Sequence, residues 1–175
     1  MEQRMYLITG VMASGKSTVS ELLAGEFRPG VHLRGDIFRR MIAGGREDMC
    51  ESPSPEALRQ LEVRYALTAI TAKAYYDAGF SVVIQDNYYG PELSKMLARL
   101  TGYPVRVAVL APNLEAVRQR EAGRSKKGYT GFSIESLYKG FMETTPRIGL
   151  WLDTSHMTPE ETCREILASA CIIDS

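Results

Sequence analysis

Short, almost entirely apolar runs alternate with helical patterns along this chain of 175 residues. The apolar runs are MYLIT, VHL, SVVIQ, VRVAVL and GLWLD, and such runs are typical of strands that are buried on both faces of a parallel sheet. The segments between them carry apolar residues at helical spacing. This repetition of strand, helix and strand predicts an α/β fold with a parallel sheet and right-handed connections.

Capping residues indicate where two of the helices begin. Ser54 can cap the longest helix, Pro55 can occupy its first position, and Gly79 can end it. Near the C-terminus, Thr158 and Glu161 can form a capping box at the start of the final helix, because each side chain can bind the backbone amide of the other residue.

The composition is that of one globular domain without a strong charge. A chain of this length with 45% hydrophobic residues can bury about two-thirds of its unfolded surface, so we expect a single domain over residues 1–175. Lys and Arg together number 21, as do Asp and Glu, which gives a net charge of zero. This balance argues against a protein that binds mainly to nucleic acid, although it is compatible with a local basic patch.

Cysteine usage and hydropathy both favour a cytoplasmic protein. The three cysteines are odd in number and show no C-x-x-C spacing, which argues against a disulfide framework and against a zinc site. The N-terminal apolar run is too short for a signal peptide, and no later run is long and uncharged enough to cross a bilayer. We therefore expect no association with a membrane.

The segment GVMASGKS lies between the first predicted strand and the first predicted helix, and it matches the pattern G-x-x-x-x-G-K-[ST]. Its glycines let the backbone wrap around phosphate oxygens, Lys16 can reach the β- and γ-phosphates, and the Ser17 hydroxyl can ligate Mg²⁺. The alternative is a coincidental glycine turn, which the strand-turn-helix context disfavours. The expected nucleotide-binding residues are Gly10, Ala13, Ser14, Gly15, Lys16, Ser17 and Thr18, with Lys16 also catalytic.

Asp36 follows the second predicted strand, in HLRGDIFRRMI, at the edge of the sheet where ligands of open α/β sheets bind. Its carboxylate can orient an acceptor hydroxyl in line with the γ-phosphate and accept its proton late in the transfer, which makes it a candidate catalytic and substrate-binding residue. Arg39 lies on the same helical face and can hold an anionic or polyhydroxyl substrate. The alternative is that Asp36 only caps a helix on which Arg39 and Arg40 face solvent.

A second carboxylate, Asp86, follows the third predicted strand in SVVIQDNYYGPE. In this position it resembles the acid of a Walker B strand, which would hold the metal together with Ser17, or it can contact the substrate. The alternative is turn chemistry alone, because Asp often begins a turn before Asn and Gly.

The most charged segment of the chain contains RQREAGRSKKGY, in which Arg120 and Arg124 are spaced to share a helix face. Cations on a loop that closes over a triphosphate can stabilise charge on the transferring group and exclude water, so both arginines are candidate catalytic residues. The alternative is a solvated basic helix end.

Together, GVMASGKST, HLRGDIFRRMI, RQREAGRSKKGY and GLWLDTSHMTPEETCREIL resemble the small P-loop kinases of the chloramphenicol phosphotransferase, shikimate kinase and gluconate kinase type. The resemblance implies a three-layer P-loop NTPase fold with about five parallel strands, a substrate-binding helical region over residues 36–78, and a lid over residues 120–132. It also implies a substrate-side base after the second strand, which is Asp36 here. The segment QDNYYG departs from the glycine-rich substrate segment of shikimate kinases, so shikimate is not supported as the acceptor.

The sequence thus predicts a kinase that uses ATP and Mg²⁺ to phosphorylate a hydroxyl of a small molecule, as a monomer or a homodimer. A second hypothesis is a polynucleotide 5′-hydroxyl kinase, because RGDIFRRMI is similar to R-D-D-x-x-R segments with Gly35 in place of the first aspartate. Neutral overall charge makes a nucleic-acid partner the less favoured choice. A third hypothesis is a P-loop ATPase or nucleotide switch without an alcohol acceptor.

Overall fold

The computed structural model describes residues 2–123 and 131–173. Within these residues, five strands alternate with seven helices. In chain order they are β1 (Met5–Gly10), α1 (Lys16–Gly25), β2 (Gly30–Arg34), α2 (Asp36–Arg40), α3 (Pro55–Asp77), β3 (Ser81–Gln85), α4 (Pro91–Arg99), β4 (Val105–Leu110), α5 (Leu114–Ala122), α6 (Ile134–Thr144), β5 (Leu150–Leu152) and α7 (Pro159–Ser169).

The strands form one parallel sheet in the order β2-β3-β1-β4-β5. Each of the five apolar runs contributes a strand, so the prediction of a parallel sheet of about five strands is confirmed. In the register of the sheet, Ile8 on β1 lies between Gln85 on β3 and Ala108 on β4. The carboxyl ends of these three strands therefore meet at one edge of the sheet, where the loops that follow them can share a site.

Helices cover both faces of the sheet, which confirms the three-layer architecture. On one face, the buried side chains of Met5 and Leu7 belong to a core that includes residues of α3, α4 and α6. On the other face, Tyr6 and Ile8 pack in a core with residues of α1 and α7. These four strand residues are fully buried, as the alternation of side chains along a doubly covered strand requires.

Both predicted helix starts are present. The Ser54 hydroxyl accepts a hydrogen bond from the Ala57 amide at 3.0 Å, which caps α3. At the start of α7, the Thr158 hydroxyl accepts from the Glu161 amide at 3.1 Å, and the Glu161 carboxylate accepts from the Thr158 amide at 2.8 Å. The capping box is therefore complete, and such a cap stabilises a helix by about 1 kcal/mol.

In the described part of the chain, we find no helix with the length and apolar character that a bilayer crossing requires.

Candidate active site

The loop from Gly10 to Ser17 joins β1 to α1 and has the conformation of a phosphate cradle. Gly10, Ala13 and Gly15 have positive φ angles of 150°, 66° and 93°. A Cβ on Gly10 would lie 2.8 Å from the Ser14 hydroxyl, so a larger residue cannot replace this glycine without moving the loop. The loop leads into the N-terminus of α1, where backbone amides without helical partners and the helix dipole favour an anion.

Lys16 is buried within this loop. Its ammonium group donates hydrogen bonds to the carbonyl oxygens of Gly10 at 2.8 Å and Val11 at 2.7 Å, and it lies 3.4 Å from the Ser14 hydroxyl. The loop thus holds the charge over its own concave side, where the β- and γ-phosphates of a bound nucleotide would replace neutral carbonyl partners with charged ones.

Ser17 meets β3 at the end of the sheet. Its hydroxyl lies 3.4 Å from the amide oxygen of Gln85, the last residue of β3. Two neutral oxygen atoms therefore face each other beside the phosphate loop, and oxygen donors are the ligands that Mg²⁺ prefers. These oxygens fit the Mg²⁺ that accompanies a nucleoside triphosphate, and the binding of that metal by Ser17 stays a prediction.

Asp86 lines the same cavity as Ser17 and is bound to an arginine. Its carboxylate is 2% exposed and forms a bidentate ion pair with Arg64 of α3, in which Arg64 Nε donates to Oδ2 at 2.7 Å and Arg64 Nη2 donates to Oδ1. The Asn87 amide also donates to Oδ1, at 2.7 Å. Both carboxylate oxygens of Asp86 therefore have donors. A role for Asp86 in holding a metal or contacting the substrate stays a prediction.

Arg64 is a member of the site that the sequence did not reveal. It lines the cavity next to the phosphate loop, and its side chain is only 13% exposed. Burial lowers the pKa of its guanidinium, but the charge and hydrogen bonds of Asp86 outweigh that effect and raise the pKa, so the group stays cationic. The available signal was the polar series Gln60, Arg64 and Thr68, which recurs every four residues on the inner face of α3.

The Asp86 carboxylate also occupies space beside Gly35. A Cβ at position 35 would overlap Oδ2 of Asp86. Gly35 stands where the similar R-D-D-x-x-R segments have their first aspartate, and here a carboxylate from β3 fills the adjacent space. The glycine is therefore required by close approach, although its φ of −60° is accessible to any residue.

Asp36 lines the same cavity as the phosphate loop. The N-cap of α2 is Gly35, and Asp36 is the first helical residue, so the alternative in which Asp36 serves as the cap is wrong. One carboxylate oxygen accepts a hydrogen bond from Arg40 Nη2 at 2.6 Å, and the other lies 3.8 Å from Arg34 Nε. The carboxylate is partly exposed and reaches the cavity between two arginines.

Arg39 contacts a part of the chain outside the cavity. It forms an ion pair with Asp48 in the segment between α2 and α3, and it does not line the cavity. Arg40 takes the place at the cavity that the sequence analysis assigned to Arg39, because a residue four positions after Asp36 lies directly above it on a helix. A role for Arg39 in acceptor binding remains a prediction.

Arg120 connects the phosphate loop to the loop after β5. Its guanidinium donates to the backbone oxygen of Ser14 at 3.3 Å and to that of Thr154 at 2.6 Å. This position brings a cation to the phosphate-loop side of the cavity. A role for Arg120 in stabilising a transferring phosphate stays a prediction. Arg124 lies outside the described residues, as do residues 124–130 of the predicted lid.

One cavity of about 470 Å³ lies at the carboxyl edge of the sheet. Residues 12–18 line it, together with Arg34 of β2 and with Asp36 and Arg40 of α2. The ionisable residues in its lining are Lys16, Arg34, Asp36, Arg40, Arg64, Asp86 and Arg120. Because cations outnumber acids among these residues, the cavity is suited to anionic ligands such as a phosphate chain.

A phosphate loop at the carboxyl edge of a five-stranded parallel sheet is the arrangement of a P-loop protein. A family model described as an AAA domain matches residues 5–136, which is more than half of the chain, so the chain belongs to this family of P-loop domains. A comparison with curated protein sequences finds no match.

Several solved structures share the fold over most of this chain. A sugar kinase from a Janibacter species has a TM-score of 0.70 and 20% identity, covering 96% of this chain and 94% of that chain. A gluconokinase from Sinorhizobium meliloti has a TM-score of 0.61 and 19% identity, covering 94% and 90% respectively. A chain of the Pnkp1/Rnl/Hen1 RNA repair complex has a TM-score of 0.64 and 20% identity, covering 81% of this chain and 45% of that chain. The resemblance to small P-loop kinases is thereby confirmed at the level of the fold.

Proposed function

We propose that this protein is a phosphotransferase that moves the γ-phosphate of ATP to a hydroxyl of a small molecule. The observation that carries the proposal is that the phosphate loop and the carboxylate of Asp36 line the same cavity. The similar structures named sugar kinase and gluconokinase support a small-molecule acceptor.

On the nucleotide side, the amides at the start of α1 and the Lys16 ammonium would bind the β- and γ-phosphates. Arg120, fixed between two backbone oxygens, would stabilise the charge that spreads over the transferring group. Mg²⁺, held through Ser17 with Gln85 beside it, would neutralise charge on the phosphate oxygens. Arg124 would add a further cation from the lid.

On the acceptor side, Asp36 would receive a hydrogen bond from the acceptor hydroxyl and aim that oxygen at the γ-phosphorus. Arg40 holds this carboxylate in place at 2.6 Å, so its main contribution would be to orient the acceptor hydroxyl. In the loose transition state of phosphoryl transfer, the proton leaves late, and Asp36 would take it once the new bond has formed.

The test measures ADP release by the purified protein with Mg²⁺ and ATP, alone and with a panel of sugars, sugar acids, aminocyclitols, nucleosides and 5′-hydroxyl oligonucleotides. We expect one acceptor class to raise turnover well above the basal rate. Asp36→Asn should lower the stimulated rate by about 100-fold or more and leave the affinity for ATP unchanged, because it removes only the acceptor-side base.

Asp77→Asn is the matched control, because Asp77 is an exposed acid at the end of α3 that accepts a hydrogen bond from Tyr103 and does not line the cavity. It should retain the stimulated rate. Brisk basal hydrolysis that no acceptor changes, and that Asp36→Asn leaves intact, would overturn the kinase proposal in favour of an ATPase or nucleotide switch.

A polynucleotide 5′-hydroxyl kinase is the second candidate. It is favoured by the similarity of RGDIFRRMI to R-D-D-x-x-R segments and by the similar chain from an RNA repair complex. Stimulation by 5′-hydroxyl oligonucleotides alone would select this candidate over a small-molecule kinase.

A further inference from the structure

We propose that the acceptor carries a negatively charged group, a carboxylate or a phosphate ester, which Arg34 and Arg40 bind beside Asp36. The inference rests on the proposed function, because it describes the second molecule in the same cavity. It narrows the acceptor from any alcohol to an anionic one.

The distribution of charge in the cavity is the first argument. Lys16 and Arg120 lie at the phosphate loop and are committed to the nucleotide side. The acceptor side, formed by β2, α2, α3 and the end of β3, contains three arginines and two carboxylates among the residues described. It therefore has one positive charge more than its own acids can balance.

The ion pairs on the acceptor side of the cavity show which arginine carries the unbalanced positive charge. Asp86 neutralises Arg64 through a buried bidentate contact. Asp36 accepts a short hydrogen bond from Arg40 at 2.6 Å. Arg34 reaches a carboxylate at 3.8 Å, which is too long for a hydrogen bond, and its side chain is 48% exposed. Among the described residues, Arg34 thus has the weakest ionic partner of the three.

The loss of water on substrate binding makes the unbalanced positive charge favour an anionic acceptor. When a substrate fills the cavity, water is displaced from the guanidinium groups of Arg34 and Arg40. A neutral acceptor would leave one charge without compensation, which is costly in a dry site. A carboxylate or phosphate would instead accept charge-assisted hydrogen bonds from the planar guanidinium, for which its geometry is well suited.

The arrangement also places the anion relative to the reacting hydroxyl. Arg34 and Arg40 approach Asp36 from the end of β2 and from the next turn of α2. An acceptor that binds them with its anionic group can therefore present a nearby hydroxyl to Asp36. The two arginines would fix the orientation of the acceptor as well as its affinity.

The first experiment compares acceptors in matched pairs: glucose with gluconate, and glucose with glucose 6-phosphate, in the presence of Mg²⁺ and ATP. We expect kcat/KM to be at least about tenfold higher for an anionic member than for its neutral partner, and the two pairs distinguish carboxylate from phosphate recognition. Arg34→Gln and Arg40→Gln should remove this advantage, mainly by raising KM for the anionic member of each pair. Arg59→Gln is the control, because Arg59 is an exposed arginine on α3 that pairs with Glu56 outside the cavity.

A second experiment tests the anion site without catalysis. The protein is saturated with Mg²⁺ and a nonhydrolysable ATP analogue, which occupies the phosphate loop, and is then titrated with inorganic phosphate while the melting temperature is followed. We expect a saturable rise that the Arg34→Gln/Arg40→Gln double variant loses and the Arg59→Gln variant keeps.

The two experiments separate failure of this inference from failure of the proposed function. Preference for the neutral sugars, phosphorylation of oligonucleotides alone, or identical kinetics in the Arg34 and Arg40 variants would overturn the anionic small-molecule acceptor while a kinase activity stands. If no acceptor stimulates turnover, the kinase proposal fails, and the phosphate titration alone tests the anion site. In that case, the absence of a saturable rise in melting temperature overturns the anion site.

Discussion

Gly35 and Asp86 are the most closely fitted pair of residues in the candidate site. A side chain at position 35 would meet the Asp86 carboxylate, which is itself fixed by Arg64. We predict that Gly35→Ala lowers the free energy of unfolding by about 1–3 kcal/mol, the usual cost of overpacking a buried site. Chemical denaturation of both proteins measures this difference.

Gly140→Ala is the control for this prediction. Gly140 lies within α6, and a Cβ there would meet no atom within 4 Å. Alanine should therefore stabilise the helix, by about 0.5–1 kcal/mol. If Gly35→Ala were as stable as Gly140→Ala, the Asp86 carboxylate would have room to move. The close contact with Gly35 would then not contribute to the free energy of unfolding.

The difference between Arg39 and Arg40 illustrates how far residue spacing can be trusted. Positions three and four residues after Asp36 both lie on its side of a helix, and sequence spacing alone does not choose between them. The structure pairs Asp36 with Arg40, while Arg39 pairs with Asp48 twelve residues beyond Asp36. The choice depends on where the segment after α2 returns, which local patterns do not encode.

The Arg64–Asp86 ion pair joins α3 to the end of β3. Because Asp86 is 2% exposed and Arg64 is 13% exposed, removing one partner leaves a buried charge without compensation. We predict that Asp86→Ala and Arg64→Ala each lower the free energy of unfolding by about 3–5 kcal/mol. The double variant should lose clearly less than the sum of the two, as a double-mutant cycle by urea denaturation would measure.

An exposed ion pair from the same helix provides the comparison. Glu62 on α3 pairs with Arg99 at the end of α4. The Glu62 side chain is 48% exposed and the Arg99 side chain is 34% exposed. Glu62→Ala should cost about 0–1 kcal/mol. Additive losses in the Arg64 and Asp86 cycle would show that the two residues act independently and that the pair does not tie the helix to the sheet.

Helices and strands could largely be predicted because their signals are local. Burial on both faces makes the strands almost purely apolar, and all five apolar runs contribute to the sheet. Ser54 and Thr158 cap helices through contacts within four residues of themselves. Arg64 was missed because its partner Asp86 is 22 residues away along the chain, and only the packing of α3 against β3 brings the two together.

Stability of the whole protein should depend on pH through His32 on β2. Burial lowers the pKa of this imidazole, an effect that the neighbouring Gln85 amide opposes in part. Since the pKa is lower in the folded state than in the unfolded state, where it is about 6.5, the unfolded chain binds the proton more readily. The free energy of unfolding should therefore fall as the pH is lowered through about 6.5.

Urea denaturation at several pH values between about 7.5 and 5.5 tests this expectation. His32→Gln should reduce the loss of stability on acidification, whereas His156→Gln should not, because His156 is exposed on the loop before α7. An unchanged pH dependence in His32→Gln would mean that other groups determine it.

The phosphate loop was predictable as a unit, because its residues are contiguous and its spacing is imposed by the phosphate it wraps. The rest of the cavity combines the end of β2, both ends of α2, the middle of α3, the end of β3 and Arg120 of α5. The contact of Gln85 with Ser17 follows from strand register, in which Gln85 is paired with Ile8. A shift of one residue reverses the direction of a side chain, so the sequence could place an acid near this position without specifying which way it points.

The strand order has a consequence for how such proteins could be rebuilt. β2 and β3 lie together on one side of β1, and β4 and β5 lie on the other, so the acceptor half of the cavity is encoded by one uninterrupted stretch from Gly30 to Gly90. The phosphate loop precedes that stretch and Arg120 follows it. Replacing residues 30–90 with the same segment of another chain of this fold should therefore change which acceptor is bound, while the residues proposed to bind the nucleotide are retained.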